Sequence, residues 1–486
     1  MVQSARGLAH SKTLARSTKT PKRKFTPLTM KTYPSSLTRR SFLRTTTAAS
    51  IAAPFIFRSS LNAASPNGKL QHACIGAGGM GGVDLDNFQK HPRVQVVALC
   101  DVDANSLKRA AEKVPGARLY ADWRELLAKE GDQIDSVNVS VPDHMHFPIA
   151  LEAIRRGKHV YCQKPMCHDV AEVRALTEAS IKKKVVTQLG TQMASGVGDR
   201  TAVHLLKTGA IGKIKHAYLC SNRPGAIEAY RLKGPRPAQG QPPPAHLDWD
   251  LWIGTAPMRP FAPDIYHPAR WRAWQDFGTG WSGDIGCHIF DAVWKGLSMQ
   301  PPKSVFAEVQ ESWKNSPERR ADTWPQGDHI TWVFPGNELT EAKEWTLEWF
   351  DGEFYPPDEI RKLYTADFSE YPPESAMIIG TEGALLTPHN PILLPEEKFK
   401  DYPRPKLKDR NHYHHFADAC LGEAKTESHF AQSGPMTEAI LLGTVAIRVP
   451  NVKLEWDAKR MEFPNHPEAE RFLRRKYREA WGVKKV

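Results

Sequence analysis

Cysteine is scarce in this chain and follows no pattern. The 486 residues include seven cysteines, an odd number, scattered along the sequence. Small extracellular domains that depend on disulfides carry cysteines densely and in even numbers. The sequence therefore excludes a disulfide framework. We interpret Cys74 and Cys100, which lie in apolar runs, as packing residues, and we give Cys162 and Cys287 the same role.

Long hydrophobic runs and internal repeats are missing too. A transmembrane helix needs about 20 consecutive apolar residues, and no stretch of this sequence reaches that length. We therefore predict no stable membrane span in the mature protein. No segment recurs with a fixed period, which argues against solenoid and propeller architectures.

Acidic residues are absent from the first 69 positions, which contain 13 of the 66 lysines and arginines. The rest of the chain has 53 basic against 54 acidic residues, so the net charge of +12 belongs to the N-terminus. A folded domain that binds nucleic acid needs a basic surface. We therefore predict no nucleic-acid partner.

The acid-free segment contains TRRSFLR at positions 38–44, followed by a short apolar stretch of small residues at 45–57. Paired arginines before such a stretch are typical of a twin-arginine export signal. We therefore predict a leader over 1–66 and a periplasmic or otherwise exported mature protein. The alternative is a disordered basic tail with a chance arginine pair.

A glycine-rich motif, GAGGMG at positions 76–81, follows the apolar run 72–75. Asp101 comes twenty residues after its last glycine, at the end of a second apolar run. In a dinucleotide site, Gly76 permits a tight turn, Gly78 admits the pyrophosphate and Gly81 lets the helix pack closely. The acid then bonds ribose hydroxyls and repels a 2′-phosphate, so we predict NAD rather than NADP. A glycine-rich surface loop is the alternative.

Apolar runs alternate with amphipathic stretches from Leu70 to Leu189, which predicts a doubly wound parallel sheet of α/β class. We expect an NAD-binding Rossmann domain over 67–190 and an α+β substrate and oligomerisation domain with an open mixed sheet over 191–486. The predicted strands of the first domain are Leu70–Ile75, Val94–Cys100, 136–141, His159–Cys162 and 185–189, with a helix at 83–90. Those of the second domain include Ser304–Val309 and 330–334, and its late helices are 413–421 and 436–445.

Polar residues follow two of the predicted strands: PDHMH at 142–146 and QKP at 163–165. Ligands of doubly wound sheets bind outside the carboxyl ends of the strands. Pro165 favours an extended Lys164, which can aim its ammonium into the cleft. Alternatively, Lys164 is a solvated turn residue and His146 caps a helix. The predicted cofactor-binding residues are Gly76, Gly78, Met80, Gly81, Asp101, Pro142, His146, Gln163 and Lys164.

Asp284 and His288 stand four residues apart in a segment, 278–291, that begins with glycines and then becomes helical. At this spacing both side chains project from one helical face. A carboxylate beside an imidazole orients it and raises its basicity, as a general base for an alcohol requires. A favourable acid at a helix N-terminus beside a structural histidine is the alternative.

Together, the glycine motif, QKP and Asp284-x3-His288-x2-Asp291 resemble the Gfo/Idh/MocA family of sugar and inositol dehydrogenases. The leader and the tail around 454–457 resemble its exported branch. The resemblance implies a catalytic lysine at Lys164, a base at His288 and its partner at Asp284. One departure is that the family's usual Glu-Lys-Pro is QKP here, which removes a charge next to the lysine.

The segment 266–274 mixes aromatic and basic residues, as either a carbohydrate cleft or an oligomer interface does. We expect a homo-oligomer. His412, His414 and His415 lack a cysteine or carboxylate to complete a zinc site, and we predict no metal. The predicted substrate contacts are Gln192, Tyr266, His267, Trp271 and Asp291.

The sequence thus predicts an exported NAD-dependent oxidoreductase that acts on a carbohydrate or polyol hydroxyl and retains its cofactor. A second hypothesis is an NAD-dependent glycoside hydrolase or lyase that oxidises its sugar transiently. A third is a non-catalytic sugar-binding protein with structural NAD.

Overall fold

The structure, a computed structural model, describes residues 68–223, 236–237 and 239–482. The predicted leader lies outside the described residues. None of the described helices is long and apolar enough to cross a membrane.

The first sheet has six parallel strands in the order β3-β2-β1-β4-β5-β6. Its central strands are almost wholly buried, as expected where helices cover both faces of a parallel sheet. The predicted α/β class is therefore confirmed. The strands are β1 (Leu70–Ile75), β2 (Val94–Cys100), β3 (Arg118–Tyr120), β4 (Ser136–Val139), β5 (His159–Cys162) and β6 (Thr187–Leu189).

Helices connect these strands, and the first begins inside the glycine motif. Helix α1 spans Met80–Gln89, three residues earlier than predicted, because Gly81 and Gly82 have low helix propensity and mask its start. Its buried face contains Gly81, Asp84, Leu85 and Phe88. The other helices of this domain are α2 (Ala104–Lys113), α3 (Trp123–Glu130), α4 (His146–Arg155) and α5 (Val170–Lys183).

The second sheet has eight strands in the order β13-β12-β11-β7-β10-β9-β8-β14. It is mixed, because β10 runs parallel to β7 while the other pairs are antiparallel. The predicted α+β domain with an open mixed sheet is confirmed. The strands are β7 (Ile214–Ser221), β8 (Ser304–Val309), β9 (Asp328–Pro335), β10 (Glu344–Asp351), β11 (Glu374–Gly380), β12 (Ala384–Thr387), β13 (Ile392–Leu394) and β14 (Leu454–Glu455).

The helices of the second half cover this sheet and reach back to the first domain. They are α6 (Val197–Lys207), α7 (Trp249–Ile253), α8 (Gly280–Gly296), α9 (Glu311–Lys314), α10 (Pro317–Asp322), α11 (Asp358–Arg361), α12 (Glu396–Phe399), α13 (His412–Cys420) and α14 (Phe430–Arg448). Helix α14 packs on α5 and α8, and α13 packs on α1. The prediction began α14 after Pro435, since proline is disfavoured inside helices; the helix instead includes Pro435.

The turn after β1 gives a direct test of the glycine roles. Gly76 has φ 88°, and a Cβ there would lie 2.1 Å from the carbonyl oxygen of Ser140. We expect Gly76→Ala to weaken NADH binding at least about tenfold, equivalent to ~1.4 kcal/mol, as measured by fluorescence titration. Gly116 also has φ 88° but has no atom within 4 Å of such a Cβ. Gly116→Ala therefore controls for backbone strain. Equal NADH affinity in the two variants would refute the role of Gly76 in the tight turn.

Candidate active site

The candidate site lies at the carboxyl ends of β1, β4 and β5. The strand order reverses between β1 and β4, and doubly wound sheets bind ligands at such a switch point. Three loops meet there: the glycine turn after β1, residues 140–146 after β4 and residues 163–165 after β5. Residues distant in sequence are brought together by this topology.

The glycine turn fits a dinucleotide phosphate. Besides the contact at Gly76, a Cβ at Gly81 would lie 2.2 Å from the Gly76 carbonyl oxygen, and one at Gly78 would lie 2.7 Å from Ser106 Oγ. Side chains at these positions would clash within the protein, so the glycines allow the tight turn and the close packing of α1 on β1 that a dinucleotide-binding turn requires. Met80, the first residue of α1, is 41% exposed beside this turn.

Asp101 ends the strand run as predicted, and in the structure its carboxylate also braces the glycine turn. Oδ2 accepts hydrogen bonds from the backbone nitrogens of Ala77 (2.8 Å) and Gly78 (3.1 Å), and Oδ1 accepts one from Asp103 (2.9 Å). Burial raises the pKa of this carboxyl, and the backbone hydrogen bonds oppose that shift. The acid therefore fixes the turn that is to receive the pyrophosphate.

Cofactor preference is the second testable property of Asp101. We expect the protein to bind NADH at least about tenfold more tightly than NADPH, because a carboxylate at this position repels a 2′-phosphate. Asp101→Asn should lower both affinities, since the brace is weakened, and should shrink the ratio between them. Parallel fluorescence titrations with NADH and NADPH measure this ratio. Equal or tighter NADPH binding by the native protein would contradict the prediction.

Lys164 and Asp284 form the centre of the cleft. The Lys164 Nζ lies 2.5 Å from Asp284 Oδ1 and 3.2 Å from the Asp284 carbonyl oxygen. Arg272 Nε donates to the other carboxylate oxygen, Oδ2, at 3.1 Å. Asp284 is 4% exposed, so its charge is stabilised mainly by these two cations. The structure thus supplies Lys164 with a carboxylate partner although residue 163 is uncharged.

Asp143 is a second buried carboxyl beside this cluster, and the sequence predictions did not include it. It is 2% exposed and accepts a hydrogen bond from Thr279 Oγ1 at 3.1 Å. Burial, followed by the charge of Asp284, raises its pKa well above the ordinary value, while Arg272 and Lys164 oppose the shift. The charge of Asp284 therefore influences the protonation of Asp143.

His288 follows Asp284 by one turn of α8, as predicted. Burial is the largest cause that lowers its pKa to about 3, the Lys164 charge lowers it further, and the Asp284 charge opposes both. The imidazole is therefore neutral at physiological pH. It is also a weaker base than an ordinary histidine, so the raised basicity predicted from the Asp284–His288 spacing is wrong: burial and the Lys164 charge outweigh the Asp284 charge. The Asp284 carboxylate bonds Lys164 and Arg272, so this aspartate positions the candidate catalytic lysine.

His146 joins two strand-end loops. Its Nδ1 lies 2.7 Å from the Pro165 carbonyl oxygen and its Nε2 lies 2.8 Å from that of Val141. The side chain is 1% exposed, so His146 holds the loops after β4 and β5 together from within the protein. Pro142 precedes the short 3₁₀ turn Asp143–Met145, which leads into α4.

The Gln163 side chain is buried and bonds both Asp84 and the Lys164 backbone. Its Nε2 donates to both carboxylate oxygens of Asp84 at 2.9 Å, and its Oε1 lies 3.4 Å from the Lys164 backbone nitrogen. Asp84 is on α1 and is fully buried. A charged residue at an apolar position of an amphipathic helix is a signal that the sequence offered and the predictions did not use.

The predicted substrate contacts have separate locations. Tyr266 and Trp271 are 1% and 6% exposed and lie in the core. Their rings are therefore not placed to pack on a sugar. Aromatic residues in loops often complete a core in this way. His267 Nε2 bonds Asp103 Oδ2 at 2.9 Å, near the end of β2. Asp291 is buried and paired with Lys295 at 2.7 Å, and Gln192 donates to the hydroxyls of Tyr161 and Tyr413.

Across the part of the chain that the structure describes, no group of three histidine, cysteine or acidic residues is arranged to bind a metal. His412 instead bonds Ser195 Oγ and the Leu189 carbonyl oxygen. The first histidine of the predicted cluster therefore has structural partners.

Family models match both halves of this architecture. A model described as "oxidoreductase family, NAD-binding Rossmann fold" matches residues 70–191, and one described as "oxidoreductase family, C-terminal alpha/beta domain" matches residues 204–326. The chain belongs to the Gfo/Idh/MocA family of oxidoreductases. This Gfo/Idh/MocA protein is therefore an enzyme with an NAD-binding Rossmann domain, as the resemblance implied.

Curated relatives of this Gfo/Idh/MocA chain match part of it. An inositol 2-dehydrogenase of Rubrobacter xylanophilus is 29% identical over 28% of this chain and 40% of its own length. A glycosyl hydrolase family 109 protein of Streptomyces filamentosus is 32% identical over 29% of this chain and 30% of its own length. The aligned part is thus less than half of each relative.

Solved structures share most of the fold. The WlbA dehydrogenase of Bordetella pertussis, solved with NADH and UDP-GlcNAcA, has a TM-score of 0.54 and 15% identity, covering 80% of this chain and 100% of its own. At this identity the likeness concerns the fold alone.

Proposed function

We propose that this Gfo/Idh/MocA protein is an NAD-dependent oxidoreductase that acts on a hydroxyl group of a carbohydrate or polyol. The observation that carries the proposal is the ion pair of Lys164 and Asp284 at the cofactor end of the sheet, with neutral His288 one helical turn away. The inositol dehydrogenase relative supports a polyol substrate.

In the proposed reaction, each residue of the site has a distinct role. Bound NAD supplies the hydride acceptor. Lys164 donates a hydrogen bond to the substrate hydroxyl oxygen and stabilises the charge that develops there. His288 removes the hydroxyl proton as a general base. Asp284 and Arg272 orient the lysine, and Asp101 fixes the turn that binds the phosphates.

A second candidate reaction is hydrolysis or elimination at a glycosidic bond through transient oxidation of the sugar. The glycosyl hydrolase family 109 relative favours it. In such a cycle the hydride returns to the sugar, so the reaction is redox-neutral and the cofactor stays bound.

The experiment that separates these reactions follows the cofactor spectrum of the purified protein while sugars, polyols and glycosides are added. A dehydrogenase accumulates NADH together with a ketone or lactone product. A redox-neutral glycosidase releases aglycone over many turnovers without net NADH. A protein that binds NADH but converts no member of the panel would refute both reactions on these substrate classes.

We propose export by the twin-arginine route, on the basis of Arg39 and Arg40 in the leader, which lies outside the described residues. This route carries folded proteins, so NAD can be loaded in the cytoplasm and retained. Replacing both arginines with lysine is expected to keep the protein in the cytoplasm, as measured by cell fractionation. Efficient export of that double variant would overturn the assignment, and purification without bound cofactor would contradict retention.

A further inference from the structure

The buried carboxylate of Asp84 connects four elements around the cofactor crevice. Oδ2 accepts from Ser140 Oγ at 2.6 Å, after β4, and both oxygens accept from Gln163 Nε2 at 2.9 Å, after β5. Oδ1 accepts from the Tyr413 hydroxyl at 2.9 Å, on α13. Asp84 itself belongs to α1. One charge thus joins the helix of the glycine motif, two strand-end loops and the C-terminal part of the chain.

The same network reaches two residues of the cleft. The Gln163 amide oxygen faces the Lys164 backbone nitrogen at 3.4 Å, and the Tyr413 hydroxyl accepts a hydrogen bond from Gln192 Nε2 at 3.3 Å. Gly190 packs so tightly on the Gln163 amide that a Cβ there would lie 2.7 Å from Oε1. The hydrogen bonds place the Gln163 amide nitrogen on Asp84 and its oxygen toward the Lys164 backbone nitrogen, and Gly190 leaves little space beside the amide.

Asp84 and Gln163 form a pair of one negatively charged carboxylate and one neutral amide that donates to it. A glutamate at 163 would place a second carboxylate oxygen where Gln163 Nε2 now lies, 2.9 Å from both oxygens of Asp84. Two buried carboxylates at that distance cannot both ionise at low cost. An uncharged glutamine at 163 therefore suits the acid on α1, whereas the glutamate of the Glu-Lys-Pro pattern would be unfavourable beside it.

We propose that Asp84 is the positioning residue for Gln163 and Lys164, and that it carries the negative charge that the family pattern places on residue 163. The inference rests on the proposed function, in which Lys164 contacts the reacting hydroxyl. Its test uses NADH binding and the unfolding temperature, which require no sugar, so the failure of the inference is distinct from the failure of the proposed reaction.

The test is a double-substitution cycle on the full chain with three variants: Gln163→Glu, Asp84→Asn and both together. Gln163→Glu is expected to weaken NADH binding about tenfold or more, equivalent to at least ~1.4 kcal/mol, and to lower the unfolding temperature. The combined variant is expected to return NADH affinity to within about threefold of the native value, because one carboxylate and one amide again face each other.

Matched controls exist on the same elements. Asp86→Asn changes an exposed acid of α1, and Gln95→Glu adds a charge at an exposed position of β2; neither should move NADH affinity. If Gln163→Glu yields no folded protein, recovery of soluble, NADH-binding protein in the combined variant supports the proposal. A Gln163→Glu variant that behaves like the native protein, or a combined variant no better than Gln163→Glu, overturns it.

Discussion

Lys164→Met is expected to lower kcat by about 10²–10⁴-fold, because it removes the ammonium that stabilises the developing alkoxide. Methionine keeps most of the side-chain length, and Arg272 still pairs with Asp284, so the cleft should retain its shape. NADH affinity should change by less than about threefold. The measurement is steady-state turnover on the substrate found with the sugar panel, alongside an NADH titration.

Lys113→Met is the control for this substitution, since Lys113 lies on the surface and pairs with Asp86 at 2.8 Å. It should leave turnover unchanged. A Lys164→Met variant that retains more than about a tenth of native kcat would show that the lysine does not stabilise the reacting oxygen.

His288→Gln is expected to cause a loss of the same order, about 10²–10⁴-fold in kcat, because glutamine fills similar space but cannot accept the hydroxyl proton. The structure also fixes the pH dependence of this role. The proton-accepting form is neutral imidazole, and with a pKa of about 3 its fraction decreases only as the pH falls toward that value. The kcat/KM of the native enzyme should therefore show no acidic limb due to His288 near the ordinary histidine value of about 6.5.

His204→Gln serves as the control, because His204 lies exposed on α6. If His288→Gln turns over normally, the proton must leave by another group, and the buried Asp143 beside Asp284 is the next candidate to substitute.

The sequence predicted elements well where burial is continuous. The bounds of β1, β2, β5 and β8 agree with prediction, because each strand is a short, mostly apolar segment with mostly buried residues. Strand β3 was missed, since it has three residues and is largely exposed at the sheet edge. Such a strand forms because its neighbour offers free backbone groups, which the local sequence does not encode.

The site was predicted in part for a related reason. Lys164 and Asp284 were identified from motifs, and the structure brings them together. Other residues of the site were missed because their partners are separated from them in the sequence, and no local sequence pattern predicts such contacts. These residues are Asp84, Asp143 and Arg272. Tyr266 and Trp271 show the opposite error, because an aromatic and basic composition suits a cleft and a core equally well.

The contact between α13 and α1 has a consequence for biosynthesis. Phe88 of α1 packs against Tyr413 and Phe416, with ring centroids 5.3 and 6.0 Å apart, so the apolar core of the nucleotide domain is completed by residues made near the end of translation. Contacts of such long sequence separation form late and slow folding. While the ribosome is still producing the second sheet, the first domain has an uncovered apolar face, which is the kind of surface that chaperones bind. We therefore expect stable capture of NAD only after α13 has been made and has closed over α1.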